Sequence, residues 1–379
     1  MTDDLYLGLI SGTSADSIDA ALVSFEHGTP RVRATHAHPW PPALRQRMLA
    51  LMQDETAIDL DALGRLDVQI AHGFADAALQ LIERSGTPAR AVRAIGSHGQ
   101  TVRHRPTGDY PFTLQLGDAS VIAERCRIDV VADFRRADIA AGGQGAPLLP
   151  ALHAMLLARA GHSRVVLNLG GIANITVLHA DGSVLGFDTG PANGLLDAWC
   201  LRHRAESFDH DGAFASSGNV DHSLLDTLLA APYFALAPPK STGREHFHLG
   251  WLAAHPRVPT LSPADVQATL LELTVRSVSE AIAQQTPPMA DVLVCGGGTH
   301  NRRLMQRLSE QLAPRLVSST AAHGIDPDFL EATAFAWLAR QRLLGLPGNL
   351  PAVTGARGTR VLGAWYSAPA AGSLPAERA

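Results

Sequence analysis

Tyr6-Leu7-Gly8-Leu9-Ile10-Ser11-Gly12-Thr13-Ser14-Ala15-Asp16-Ser17-Ile18-Asp19-Ala20-Ala21-Leu22-Val23 is the stretch that decides the fold. An apolar run, a corner of Ser, Gly and Thr, and a second apolar run read as strand, tight turn, strand. His27-Gly28-Thr29-Pro30 turns again, and residues 31–35 alternate polar and apolar as a third strand. The same grammar returns halfway along the chain. Arg164 to Leu169 is a buried-looking strand, Gly170-Gly171 the corner, and 174–178 the second strand; Ala180-Asp181-Gly182-Ser183 turns into a third strand at 184–187. Two glycine-cornered meanders, each followed by helical segments, point to an internal structural duplication.

The helical segments follow from periodicity and caps. Leu63, Leu66, Ile70, Phe74, Ala78, Leu81 and Ile82 recur at helical spacing over 61–83, and Ser85-Gly86 ends the run. Residues 148–158 form another helix. Ser262 is an N-cap with Pro263 at the first helical position of 263–283. A β-run at 291–295 precedes three glycines, and helices at 301–312 and 327–343 close the set. This is an α/β chain in two lobes. The expected division is 1–155 for the first lobe, 156–366 for the second, and a flexible Ala/Pro/Gly/Ser-rich tail at 367–379.

Composition agrees and excludes several classes. The 379 residues, 46% hydrophobic and 18% charged, supply enough material for two cores. A net charge of −5 with no long basic run argues against a nucleic-acid partner. Cys126, Cys200 and Cys295 are odd in number and far apart, so they make neither a disulfide framework nor a CxxC metal pair, which fits a reducing compartment. The chain opens on polar Thr2-Asp3-Asp4 and has no apolar run near the ~18 residues of a membrane helix. The expectation is a soluble, cytoplasmic protein with no membrane contact. Lys240 is the only lysine among 31 basic residues, which suggests a place that wants a compact ammonium rather than a planar fork.

Four motifs carry the chemistry. Gly12, Thr13, Ser14, Ala15, Asp16, Ser17, Ile18 and Asp19 form a hairpin whose backbone N–H groups and hydroxyls suit phosphate oxygens. Asp16 and Asp19 repel phosphate, and their sensible role is to hold Mg²⁺ through water. Asn168, Gly170 and Gly171 sit in the equivalent corner of the second half, so the two corners would clamp a polyphosphate from both sides. Gly296, Gly297 and Gly298, after a buried strand, would let a flat base or ribose approach the backbone. This is neither the GxGxxG fingerprint nor a GxxxxGK[ST] loop. Asp188, at the end of a strand and before a Gly-Pro turn, is placed as a general base; the competing reading is a helix cap.

Neutral donors and acceptors at His98, Gln100, Thr101 and Asp118 suit a sugar, with Gly190 and Asn193 beside Asp188. Arg135 or Arg136 would take a carboxylated sugar. For Arg136 the alternative is an ion pair with Asp133 or Asp138. Lys240, in a Ser-Thr-Gly turn, would order over substrate or phosphate. Glu331 either reaches the site or lies on a solvated helical face. His246 and His248 lack a third ligand and are set aside as a metal site.

In combination, GLISGTSADSID, AIGSHGQTVRH, TLQLGD, ADFRRADIAAGGQGAPL, NLGGIANIT, GFDTGPAN, PPKSTGRE, CGGGTHN and EATAFAWLA resemble the anhydro-N-acetylmuramic acid kinase family, in order from residue 8 to about 339. The resemblance implies the actin-like ATPase fold of acetate and sugar kinases, Hsp70 and actin, with duplicated ribonuclease H-like domains and ATP between the lobes. It implies conversion of 1,6-anhydro-N-acetylmuramic acid, ATP and water to N-acetylmuramic acid 6-phosphate and ADP, in peptidoglycan recycling, by a homodimer. Residues 12–19 carry over as the ATP phosphate site and Asp188 as the base. Ala15 and Ser17 stand where the family more often has Leu and Gly, and Ser11 where the superfamily often has an acid. The other readings are a kinase for an ordinary N-acetylhexosamine and a non-enzymatic, actin-like nucleotide switch.

Overall fold

The computed structural model describes residues 4–12, 15–53, 58–243 and 246–370. The chain forms two compact units, Met1–Leu149 with Glu331–Ala379, and Pro150–Leu330.

In the first unit, β1 (Leu5–Ser11), β2 (Ser17–Glu26) and β3 (Thr29–Pro39) form the antiparallel meander read from the sequence. β4 (Val92–Arg105) lies parallel to β1, and β6 (Val130–Ala132) lies parallel to β4. β5 (Phe112–Leu116) pairs with β4 alone. The helix Leu60–Ser85 covers the sheet with the predicted apolar stripe, and Ile70, Phe74 and Leu81 join Leu7, Leu9, Ile18 and Leu22 in one core. Asp59 caps its start, and Gly86, in the left-handed region, ends it.

The second unit repeats the plan. β7 (Arg164–Leu169), β8 (Ile172–Leu178) and β9 (Val184–Pro191) are an antiparallel meander. β10 (Asp291–Cys295) runs parallel to β7, and β11 (Val317–Ser319) parallel to β10. The helix Pro263–Gln285, capped by Ser262 as expected, packs Val266, Leu270, Leu273 and Val278 on Val165, Leu167, Ile175 and Val177. Read from the third meander strand inward, the shared strand order is β3-β2-β1-β4-β6 in one unit and β9-β8-β7-β10-β11 in the other. The duplication inferred from sequence grammar is therefore a duplication of topology.

The division differs from the expected one at its far end. The sequence reading carried the second lobe to residue 366, whereas Glu331 onward belongs with the first unit. Two contacts explain it. The helix Leu330–Leu343 lies directly on the β1–β4 face, where a side chain at Gly8 would run into the Ala332 carbonyl and one at Gly96 into the Phe335 carbonyl. Beyond it, β12 (Ala364–Tyr366) adds antiparallel to β6. Of the expected tail at 367–379, residues 371–379 lie outside the described residues; within the described part, Ala368 donates its amide to Asp129 Oδ1 at 2.9 Å, which ties it to the first unit. No helix among the described residues is long and apolar enough to cross a membrane.

Candidate active site

In the first unit, the 12–19 corner joins β1 to β2. Thr13 and Ser14 lie outside the described residues. The carbonyl of Gly12 accepts from Ala15 N at 3.1 Å and from Gln100 Nε2 at 3.2 Å. Ala15 is buried and left-handed, with φ 49°. Ile18 points into the core, so only its backbone is available to a ligand. Arg45 donates Nε to the Ala15 carbonyl at 2.9 Å and pairs Nη2 with Asp16 Oδ1 at 2.5 Å. Asp16 is thus turned onto an arginine. Ser17 donates its hydroxyl to Asp19 Oδ1 at 2.8 Å. Asp19 lies near enough to Glu331 to help raise that carboxyl's pKa. Burial is the larger cause, and Arg135 opposes both.

Around Arg135 the polar residues of β4 divide into ligands of the protein itself and a cluster about one cation. Arg135 donates Nε and Nη2 to His98 Nε2 at 3.0 and 2.9 Å, and Nη1 to the Gly145 carbonyl at 2.8 Å. Burial, opposed by Glu331 and Asp138, brings the Arg135 pKa down to about 10, so it stays cationic at neutral pH. Burial and then Arg135 hold His98 well below the ordinary imidazole value, consistent with a neutral ring that accepts. His98 packs against Phe335 at 4.6 Å between ring centroids. Gln100 is fully buried and serves the Gly12 corner. Thr101 Oγ1 accepts from Gln115 Nε2 at 3.1 Å. Asp118, expected to bind substrate, caps the helix Ala119–Cys126 by accepting from Ser120 N at 2.8 Å. Arg136 is exposed and pairs with Asp133 at 3.5 Å. Of the two adjacent arginines, only Arg135 therefore joins His98 and Glu331.

A second network holds the Gly142–Gly145 loop in place. Asp138, with no exposed surface, accepts from Gly145 N, Asn349 Nδ2 and Thr354 Oγ1, each at 2.7 Å. Because Gly145 also accepts from Arg135, this buried carboxylate fixes one of the anchors of the guanidinium.

In the second unit, Asp188 lies within β9 and not at its end: the sequence places the end of this strand at the aspartate, but pairing with β8 runs on to Pro191. The β8–β9 register shifts beside the aspartate: Asn174 faces Asp188 and Ala173 faces Gly190, so Thr189 is the extra residue of a bulge. Bulges re-aim side chains at sheet edges. Asp188 is half-buried; its Oδ2 accepts from Thr242 N at 2.9 Å, its N–H donates to the Lys240 carbonyl at 3.0 Å, and its own carbonyl accepts from Tyr233 Oη at 2.7 Å. Burial, with the Asp188 charge second, raises the Tyr233 pKa, so the phenol remains a donor. Asp188 is not a cap. The start of the helix Asn193–Arg204 has no side-chain cap, and the Gly170 carbonyl takes the Asn193 amide while the Gly171 carbonyl takes those of Ala192 and Gly194, at 3.0–3.1 Å. Asn193 Nδ2 donates to the Leu169 carbonyl at 2.9 Å. The Gly170-Gly171 corner therefore anchors the helix that follows Asp188.

Glycines 296–298 divide similarly. A Cβ at Gly296 would stand 2.5 Å from Asn168 Oδ1, and one at Gly298 2.5 Å from Leu169 Cβ. These two are required by packing on the end of β7, where Asn168 Oδ1 also meets Cys295 Sγ at 3.8 Å. Only Gly297, exposed with no atom nearer its would-be Cβ than 3.9 Å, keeps the open face expected for a nucleotide. Gly190, with φ 148°, faces Phe234, whose ring would stand 2.7 Å from a Cβ there. Lys240 directs its ammonium to the carbonyls of Tyr233 and Phe234, 3.2 Å from each. The sequence gives no signal for Tyr233, one of two adjacent aromatics in a proline-rich loop, and suggests Asp138 only as an ion-pair partner of Arg136, whereas it binds Gly145, Asn349 and Thr354.

Two repeats of one strand order, each with a glycine-cornered meander, make this an α/β chain of the actin-like ATPase class, with duplicated ribonuclease H-like units. The sequence profile of the anhydro-N-acetylmuramic acid kinase family matches residues 4–368. The chain belongs to that family. It is 57% identical over 367 residues to the anhydro-N-acetylmuramic acid kinase of Xanthomonas campestris pv. campestris (strain 8004), covering 96% of this chain and 97% of that one. To the enzyme of the same name from Vibrio vulnificus (strain CMCP6) it is 49% identical, covering 97% and 99%. Among solved structures, the activator of 2-hydroxyisocaproyl-CoA dehydratase from Clostridium difficile, with bound ADPNP, is similar at a TM-score of 0.46 and 12% identity, over 90% of this chain and 96% of that chain.

Proposed function

We propose that this chain phosphorylates 1,6-anhydro-N-acetylmuramic acid with ATP while opening its anhydro bridge, acting in the cytoplasm in peptidoglycan recycling. The family membership favours this reading over a kinase for an ordinary N-acetylhexosamine and over a non-enzymatic nucleotide switch. The observation that carries the mechanism is the setting of Asp188. It is held beside the bulge of edge strand β9 by a backbone amide on one carboxylate oxygen.

Asp188 accepts a proton from water as that water attacks the anomeric carbon. The bond from this carbon to O6 breaks, and O6 takes the γ-phosphoryl group of ATP, leaving ADP and N-acetylmuramic acid 6-phosphate. Such transfer depends on positioning and charge stabilisation more than on covalent help from the protein. Residues 12–19 of the first unit, and Asn168, Gly170, Gly171 and Gly297 of the second, are assigned to ATP. In the first unit the sugar carboxylate falls to Arg135, whose guanidinium is already oriented by His98 and Gly145.

Mg²⁺ would supply charge neutralisation on the phosphates. The described residues contain no cluster of three or more His, Cys, Asp or Glu for a metal, which suits an ion that keeps its waters and needs few carboxylates. Asp19 fits better than Asp16, because Asp16 is paired with Arg45 while Asp19 lies beside a second carboxylate, Glu331.

A mass-resolved product assay in ¹⁸O-water tests the reaction. Label at the anomeric oxygen and none in the phosphate is expected with the anhydro sugar. Equal turnover of N-acetylglucosamine, or label in the phosphate, overturns the reading. The homodimer is checked by light scattering on the purified protein.

A further inference from the structure

We infer that Tyr233 and Lys240 form a latch that positions Asp188, and that Lys240 is a positioning residue rather than a ligand of the sugar. This rests on Asp188 being the base of the proposed reaction.

The hydrogen bonds close a cycle. Tyr233, in the short turn Pro232–Ala235, donates its hydroxyl to the Asp188 carbonyl at 2.7 Å. Asp188 donates its amide to the Lys240 carbonyl at 3.0 Å. The Lys240 ammonium returns to the carbonyls of Tyr233 and Phe234, both at 3.2 Å, and stands 4.8 Å from the centre of the Tyr233 ring. Two residues beyond Lys240, the Thr242 amide reaches Asp188 Oδ2 at 2.9 Å.

β9 is the outer strand of its sheet, so the N–H and C=O of Asp188 have no further strand to pair with. The latch supplies both partners. It also fixes the segment that carries the Thr242 amide, and a charged acceptor makes that bond stronger than a neutral one. The turn is seated firmly. Phe234 packs on Gly190, and Tyr233 meets both Phe234 and buried Phe247 edge-to-face while the two phenylalanines are tilted, with centroids 5.6–5.9 Å apart.

The choice of lysine in a chain otherwise built with arginine has a physical reason. Two carbonyls at the end of one turn and the face of a ring below them converge on a point. A compact ammonium satisfies all three, whereas a planar guanidinium spreads its donors over a fork. The two carbonyls take two of the three ammonium donors, and the Tyr233 ring lies against the same group, so Lys240 is directed onto the turn that it anchors.

Steady-state kinetics on the full chain test the latch with Lys240→Met, Tyr233→Phe and the double variant. Loss of base alignment is expected to lower kcat by about 10- to 100-fold in Lys240→Met, with the KM for ATP within about twofold of the parent. Tyr233→Phe should lower kcat in the same direction. The double variant should lose little more than Lys240→Met, because both changes open one cycle. The acidic limb of the kcat–pH profile should move upward in all three, since a carboxylate that loses an amide donor is easier to protonate.

An effect of Lys240→Met confined to the KM for sugar, or losses that multiply in the double variant, would overturn the latch. Should Lys240→Met fail to fold, Tyr233→Phe and its pH profile decide alone: an unshifted limb overturns the proposal. The parent protein separates the two readings. Absence of turnover of the anhydro sugar by the parent refutes the proposed function. Parental turnover with an unaltered kcat in Tyr233→Phe and Lys240→Met refutes only the latch.

Discussion

His98 Nε2 receives both Nε and Nη2 of Arg135, at 3.0 and 2.9 Å. A ring nitrogen that accepts from a guanidinium must carry a lone pair, so the other nitrogen bears the proton. The imidazole therefore works as an orienting wall and not as a proton carrier. Arg135→Lys keeps the charge but cannot match the fork, the His98 contact and the Gly145 carbonyl together. The expected result is a KM for the anhydro sugar raised by about tenfold or more, with the KM for ATP little changed. Steady-state titration of each substrate checks it, and an unaltered sugar KM removes Arg135 from the substrate site.

Asp188→Asn tests the base directly. The amide side chain can still accept from Thr242 N, so the local fold persists, but it cannot take a proton from water. Nucleotide binding should survive and sugar-dependent ADP release should fall by about a thousandfold or more. Isothermal titration with a non-hydrolysable ATP analogue, alongside the coupled assay, reads the two quantities separately. Full activity would assign the base elsewhere.

The buried His153 couples stability to pH. It has no exposed surface, shares a hydrogen bond of 2.8 Å with Thr176 Oγ1, and its Nε2 meets no partner among the described residues. Burial alone takes its pKa down to about 3. The unfolded chain binds a proton on this ring below roughly pH 6.5 while the native chain does not. Stability is therefore lost as pH falls from about 6.5 toward 3, and this site contributes on the order of 2 kcal/mol of that loss at pH 5. Glu331, Asp67 and Asp133, with raised carboxyl pKa values, act in the opposite direction. They are common to parent and variant, so comparing His153→Gln with the parent isolates the histidine. Urea unfolding between pH 7.5 and 5 should show the flatter dependence in His153→Gln, and parallel curves would refute the assignment.

The meanders were legible because each strand is followed at once by its partner, and a glycine corner announces the pairing. β7 and β10 fall on the residues read from the sequence. The three-residue strands β6, β11 and β12 were not legible. Their pairings join distant segments, such as Trp365 to Val131, and three residues carry no period. The same limit hid the return of the chain to the first unit. In the site, Asp118 and Arg135 illustrate the other difficulty. A polar residue before a helix reads alike whether it caps or binds, and Arg135 and Arg136 are neighbours that separate only because a helix begins between them. Lys240 was correctly singled out as unusual, but its partners are carbonyls, which no side-chain pattern reveals.

Glycine substitutions give a test of the first unit that is independent of chemistry. At Gly8, a Cβ would run into the Ala332 carbonyl and stand 2.6 Å from Ala336 N, so the helix Leu330–Leu343 could not seat on β1 without moving. Gly64 lies exposed inside the helix Leu60–Ser85 with nothing within 4 Å of its would-be Cβ. One and the same change, Gly→Ala, should therefore have opposite signs. Gly8→Ala should destabilise by about 2 kcal/mol or more, through overpacking against backbone that cannot rotate away. Gly64→Ala should stabilise by about 0.5–1 kcal/mol, because alanine loses less backbone entropy in a helix. Denaturant midpoints of the two variants measure both. Because the Leu330–Leu343 helix also carries Glu331, Gly8→Ala should lower sugar turnover as well, whereas Gly64→Ala should leave it at the parental rate; equal midpoints for the two variants would refute the close backbone approach of that helix to β1.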